Sequence, residues 1–96
     1  MECFYTYIVR CANGAYYTGH TDNLENRIAE HNAGTYKGYT SRYLPVELVY
    51  VEFFATRDEA FVAEHKIKGW TRRKKEALMT SQWEELVNLA KKKFDR

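Results

Sequence analysis

Residues Phe4 to Gly19 read FYTYIVRCANGAYYTG, and the way this stretch folds back on itself decides the fold. Phe4 to Ala12 is rich in aromatic and β-branched residues, the composition of a strand. Asn13-Gly14 is a turn signal, and Ala15 to Gly19 is the returning strand. Side chains alternate between the faces of a strand, so Tyr5, Tyr7, Val9 and Cys11 share one face. Two registers are open. A two-residue turn at Asn13-Gly14 pairs residue 7 with residue 20 and puts Tyr16, Thr18 and His20 on the face of Tyr7. A three-residue loop, Ala12-Asn13-Gly14 with Gly14 in a bulge, pairs Tyr7 with Gly19 and brings Tyr17 to that face instead.

Beyond the hairpin, Tyr16 to His31 (YYTGHTDNLENRIAEH) runs from strand to helix. Asp22 is the expected N-cap, with Glu25 completing a capping box. The helix is expected to reach about Asn32 and stop at Gly34. Leu24 and Ile28 form its apolar stripe. With Leu24 set at zero and about 100° per residue, Arg27 falls near −60° and His31 near −20° on the helical wheel. Both therefore border the buried side. The bland alternative is an arginine laying its stem along the core edge.

Gly34 to Pro45 has the composition of a surface loop. It alternates aromatic with cationic residues (Tyr36, Lys37, Tyr39, Arg42, Tyr43), as a loop that stacks bases and binds phosphates would; a loop tacked to the body by its tyrosines would look the same. Val46 to Ala55 (VELVYVEFFA) is the third strand, apolar on both faces, as if covered on two sides. Thr56-Arg57-Asp58-Glu59 is a capping box that starts a second helix, running through Lys68 to Gly69. On it Glu64 falls in the middle of an apolar arc set by Ala60, Phe61 and Ile67. A carboxylate there costs several kcal/mol unless it is paired or holds a cation. A buried salt bridge, for instance to Arg27, is the structural alternative. Trp70 to Thr80 holds a short basic helix with Arg72 and Arg73. A last amphipathic helix, about 81–94, carries Trp83, Leu86, Val87, Ala90 and Phe94 on one side.

These elements amount to one α+β domain over residues 1–96, with its core in 4–79. They comprise a β-hairpin, a third strand and about four helices, in the order β-β-α-β-α-α-α. The chain has 96 residues, 45% hydrophobic and 16% aromatic, enough for a single modest core. No apolar run is long enough to span a bilayer and no signal peptide is expected, so no membrane partner is inferred. Cys3 and Cys11 read as reduced thiols, which suggests the cytoplasm. Net charge is +2, but unevenly spread: residues 1–65 carry five Lys/Arg against nine Asp/Glu, and residues 66–96 carry ten against four. The basic C-terminal third is either a phosphate-facing surface or a set of solvated helix faces.

His20, His31 and His65 are too scattered for a zinc site. No Walker-type loop or dinucleotide fingerprint occurs, so no nucleotide cofactor is expected, and no nucleophile elbow supports a serine triad. Tyrosine, arginine, histidine and one carboxylate suit phosphodiester cleavage instead. The carboxylate would hold a divalent ion, the arginine would neutralise charge on phosphorus, and a tyrosine or His31 would take a proton from the attacking water.

As a set, Tyr5-Thr6-Tyr7, Tyr17-Thr18-Gly19, Arg27, His31 and Glu64 resemble the GIY-YIG nuclease superfamily. The whole chain resembles its short, stand-alone bacterial members, and the likeness spans residues 4–79. The resemblance implies a three-stranded antiparallel sheet flanked by helices, and a DNA endonuclease using one Mg²⁺ or Mn²⁺ ion, with DNA as partner and Tyr7, Tyr17, Arg27, His31 and Glu64 as catalytic positions, Glu64 on the metal. His20 falls where some members carry a lysine that assists the base. Tyr5 replaces the leading glycine and Thr18 the isoleucine of the motif, while Asn88, the only late asparagine, receives no role. His20, Lys37, Arg42, Lys68, Arg72 and Arg73 are the candidate nucleic-acid contacts, and a monomer is the favoured state. Two other functions compete: a nucleic-acid-binding module with little or no catalysis, and a protein-interaction domain built on Trp83, Leu86 and the last helix.

Overall fold

The structure, a computed structural model, describes residues 3–35 and 38–81. Three strands, β1 (Phe4–Arg10), β2 (Tyr16–Thr21) and β3 (Glu47–Phe54), form an antiparallel sheet in the order β2-β1-β3. The most apolar strand, β1, takes the centre, where both its faces are covered; β2 and β3 become edges. Helix α1 (Leu24–Ala33) lies on one face, and α2 (Arg57–Lys68) with α3 (72–81) on the other. A 3-10 turn, Tyr39–Arg42, sits between α1 and β3.

The period of two in β1 sorts the core into two halves. Tyr7, Val9 and Cys11 join Val46 on the α1 side, packed by Tyr17, Leu24, Ile28, Tyr43 and Leu44. Ile8, with Tyr50 and Ile67, forms the α2 side, covered by Tyr16, Val49, Trp70, Leu78 and Met79. Each fully buried side chain of this size contributes about 1.5–3 kcal/mol of transfer free energy.

The hairpin adopts the three-residue loop. Tyr7 pairs with Gly19 and Val9 with Tyr17. The Cys11 amide donates to the Ala15 carbonyl at 2.8 Å, and Gly14 takes the left-handed backbone (φ 87°) that the bulge demands. Tyr17 therefore shares the face of Tyr7, while His20 pairs with Thr6 and points to the α2 side.

Helix ends follow local chemistry, with one correction. The α1 cap is Asn23, whose side chain accepts from the Asn26 amide, and not Asp22. Thr21 takes the Asn23 amide on its hydroxyl at 3.1 Å, which moves the helix start one residue on. Asp22 is left exposed and pairs with Arg57 at 3.2 Å. Gly34 ends α1 in the left-handed region (φ 76°), and Thr56 and Glu59 form the full capping box of α2.

Three further expectations change. β3 is not covered on both faces: Tyr50 is buried, but Glu47, Leu48, Glu52 and Phe53 are exposed, because the strand lies at the sheet edge. The 34–45 loop is not wholly a surface loop, since Thr40 is buried and Tyr43 and Leu44 pack on the core. The described residues hold three α-helices and the 3-10 turn; the fourth helix expected over 81–94, with Trp83 and Leu86, falls outside them beyond Ser81, as does Lys37. No helix among the described residues is long and apolar enough to cross a membrane.

Candidate active site

Six of the candidate residues, Tyr7, Tyr17, His20, His31, Glu64 and Lys68, gather around the outer edge of β2. On the α1 side, the Tyr7 hydroxyl meets His31 Nε2 at 3.1 Å, and His31 Nδ1 meets the Thr40 hydroxyl at 2.9 Å. Tyr7, His31 and Thr40 are all fully buried. The Tyr17 ring lies edge-on to His31 at 5.5 Å and is only partly buried. Arg27, one turn before His31 on α1, keeps 27% of its side chain exposed and pairs with Glu30 at 3.4 Å. Burial pushes the His31 imidazole below its ordinary 6.5, and the Arg27 charge pushes it further, so it is neutral near pH 7. A neutral imidazole has one donor and one acceptor nitrogen, which matches two hydroxyl partners, each able to do either.

Gly19 makes this packing possible. A Cβ there would lie 2.6 Å from the Tyr7 hydroxyl oxygen. The tyrosine ring crosses the backbone of β2 where no side chain stands.

On the α2 side, Glu64 lies 9% exposed, hydrogen-bonded by His20 and Lys68, with His65 Nε2 3.8 Å from Oε2. His20 Nδ1 is 2.6 Å from its Oε1, and Lys68 Nζ donates to Oε2 at 3.2 Å. Burial pushes the carboxyl up, but the hydrogen bonds and charges of His20 and Lys68 outweigh burial, and its pKa falls below 4.5. An ionised carboxylate only accepts, so His20 Nδ1 carries the proton of that bond. Lys75 sits near Lys68: burial first, then the Lys68 charge, lower its pKa. Lys68 also joins the two halves, since its Nζ lies 5.9 Å from the centre of the Tyr17 ring. Tyr7, His31, Tyr17, Lys68, Glu64 and His20 thus form one continuous chain of contacts around the sheet edge.

Sequence spacing missed part of this. Thr40 carries no motif and is brought in by the 3-10 turn. Lys68, expected only as a phosphate contact, stands at i+4 from Glu64, a spacing that was legible on the helix. His20 follows from strand alternation once the register is known. Among the other expected contacts, Arg42 and Arg73 are exposed. Arg72 is tied inward: it donates to the Gly14 carbonyl at 2.8 Å and lies over the Tyr16 ring at 4.6 Å, while Tyr16 donates to Glu76 at 2.9 Å. These contacts dock α3 on the hairpin.

The family model of the GIY-YIG catalytic domain matches residues 3–77, and the chain belongs to the GIY-YIG family of nuclease domains. Among similar proteins, a UPF0213 protein of Haloquadratum walsbyi is 49% identical over 74 residues, 77% of this chain and 83% of that one. A UPF0213 protein of Staphylococcus saprophyticus is 44% identical over 80 residues, covering 83% of this chain and 98% of its own length. Two solution NMR structures share the fold. A UPF0213 protein from Bacillus halodurans aligns with TM-score 0.54 and 37% identity, covering 81% of this chain and 83% of that one. A protein from E. faecalis aligns with TM-score 0.57 and 38% identity, covering 84% and 90%.

Proposed function

We propose that the protein is a metal-dependent DNA endonuclease whose reacting groups are Tyr17, Arg27 and Glu64, with Tyr7 and His31 as positioning residues behind them. The observation that carries this reading is the meeting of Tyr17 and Glu64 at the β2 edge, bridged by Lys68. Tyr17 and Arg27 reach solvent, whereas Tyr7 and His31 do not.

Among the described residues no three ligating side chains cluster. The donor set is one ionised carboxylate beside an imidazole. That set fits Mg²⁺ or Mn²⁺ held through Glu64 and otherwise by water and phosphate oxygens, not an ion caged by protein. When bound, such an ion supplies charge stabilisation to the phosphorus and the departing oxygen. Arg27 would pair with the non-bridging oxygens through its planar fork. Tyr17, as its phenolate, would accept the proton of the attacking water, with the Lys68 ammonium over its ring. Tyr7 would fix the His31 ring, which stands edge-on to Tyr17. Supercoiled and branched DNA incubated with Mg²⁺ or Mn²⁺ tests this: the protein should nick, and Glu64→Ala and Arg27→Ala should not, while remaining folded.

The engagement of both Glu64 oxygens by His20 and Lys68 favours a second reading, a nucleic-acid-binding module without catalysis. DNA binding with no metal-dependent nicking would establish it.

A further inference from the structure

Helix α2 presents one feature that phosphodiester chemistry alone does not use. Phe61 is 47% exposed, although the helical wheel places it in the apolar arc. The buried arc is narrower, made by Ala60, Glu64 and Ile67. The Thr6 hydroxyl donates to the Ala60 carbonyl at 2.7 Å, drawing the helix onto the sheet through its smallest side chain. Phe61 is thereby left beyond the sheet edge, beside β2.

Phe61 is not a stray apolar residue there. Its ring packs on His65 at 4.2 Å, and His20 stands edge-on to it at 5.7 Å. His20 is the same residue whose Nδ1 bonds Glu64, so one imidazole walls both the aromatic group and the carboxylate. Phe61 lies three residues before Glu64, about 5 Å along the helix axis. Lys68 lies one turn beyond Glu64 on the same face, with Lys75 close by. The ridge therefore reads aromatic, carboxylate, cations, over a length comparable to one nucleotide and its neighbouring phosphate.

We propose that Phe61, with His65 and His20, is a stacking subsite for a nucleobase next to the phosphate that Glu64 and Lys68 face. The proposal rests on the nucleic-acid reading of the site above. A base offers a π-face to an aromatic shelf and a phosphate offers charge to the lysines, so the two ends of the ridge match the two halves of a nucleotide. Base–aromatic stacking tolerates any sequence, because every base has a π-face. A base inside an intact duplex has both faces covered by its neighbours. The subsite therefore takes a nucleotide that is unstacked, either in a single-stranded region or rotated out of a helix.

The test uses the full chain and oligonucleotides carrying 2-aminopurine at successive positions, in EDTA so that no cleavage occurs. Wild type should quench the fluorophore at one position. Phe61→Ala should lose that quenching and bind about tenfold or more weakly, and Phe61→Tyr should retain both. An abasic site at that position should weaken wild-type binding by a similar factor and have no effect on Phe61→Ala. Phe61 is exposed, so a thermal melt should show that Phe61→Ala folds normally. Unchanged quenching and affinity in Phe61→Ala overturn the proposal, as do penalties that simply add at every position; a Phe61 surface serving a protein partner would give that result. Stacking without cleavage when Mg²⁺ is added refutes the nuclease and leaves the subsite standing. Cleavage that is indifferent to Phe61→Ala and to abasic sites does the reverse.

Discussion

The ring of Tyr7 lies against the backbone of Gly19, so close that a methyl group on Gly19 would stand 2.6 Å from the tyrosine hydroxyl oxygen and 2.7 Å from the ring carbon that bears it. Real Cβ atoms essentially never make non-bonded contacts under 3.0 Å. Gly19→Ala should force Tyr7 off His31 and destabilise the protein by about 1–3 kcal/mol, the usual cost of an overpacked core. Urea unfolding measures it, and an unchanged midpoint would refute the contact.

The two tyrosines should part company on mutation. Tyr7→Phe removes the buried hydroxyl that meets His31 Nε2 at 3.1 Å. The expected cost is about 1–3 kcal/mol of stability. Tyr17→Phe should lower kcat by about a hundredfold, the scale of a lost proton acceptor. A Tyr17→Phe protein with full activity would remove Tyr17 from the reaction.

His31 should make stability depend on pH. Its pKa is below 6.5 in the fold and returns to about 6.5 on unfolding. Between these values the unfolded chain binds the proton more readily, so stability falls as pH drops through that window. Above it the contribution is constant. His31→Gln should flatten the slope just below pH 6.5. The Glu64 contribution, from a pKa held below 4.5, should vanish only at lower pH, as acid protonates the carboxylate. Denaturant midpoints collected from pH 8 to pH 3 separate the two.

Glu64→Gln keeps the size of the side chain while removing its charge. It should abolish Mg²⁺- or Mn²⁺-dependent nicking, as should EDTA, because a neutral amide holds a divalent ion poorly. Lys68→Met should act differently. It deprives Glu64 of its 3.2 Å ammonium partner, so Mn²⁺ should bind more tightly by electron-spin titration while cleavage falls through loss of the charge beside Tyr17. Weaker Mn²⁺ binding in Lys68→Met would contradict this account.

Local chemistry made much of this molecule legible before any fold was known. The Thr56 to Glu59 capping box, the Gly34 stop, the strand composition of Phe4 to Arg10 and the helical phase that puts Arg27 and His31 beside Leu24 all depend on neighbours within a few residues. Those short-range rules hold wherever the segment is placed. The same is true of Glu64, whose position on an apolar helix side marks it from sequence alone.

Tertiary structure decided what neighbours in sequence cannot. The hairpin admitted two registers that differ by one residue, and only the packing of Tyr7 over Gly19 selects the one that brings Tyr17 to the same face. Which strand became central determined that Phe53 stays exposed, though its own sequence resembles a buried strand. The His20 partner that β2 brings to Glu64, the burial of Thr40 against His31, and the exposure of Phe61 all follow from how α2 and the 3-10 turn dock on the sheet. Docking is a sum over distant contacts, and a sequence read segment by segment contains the parts of that sum but not their pairing.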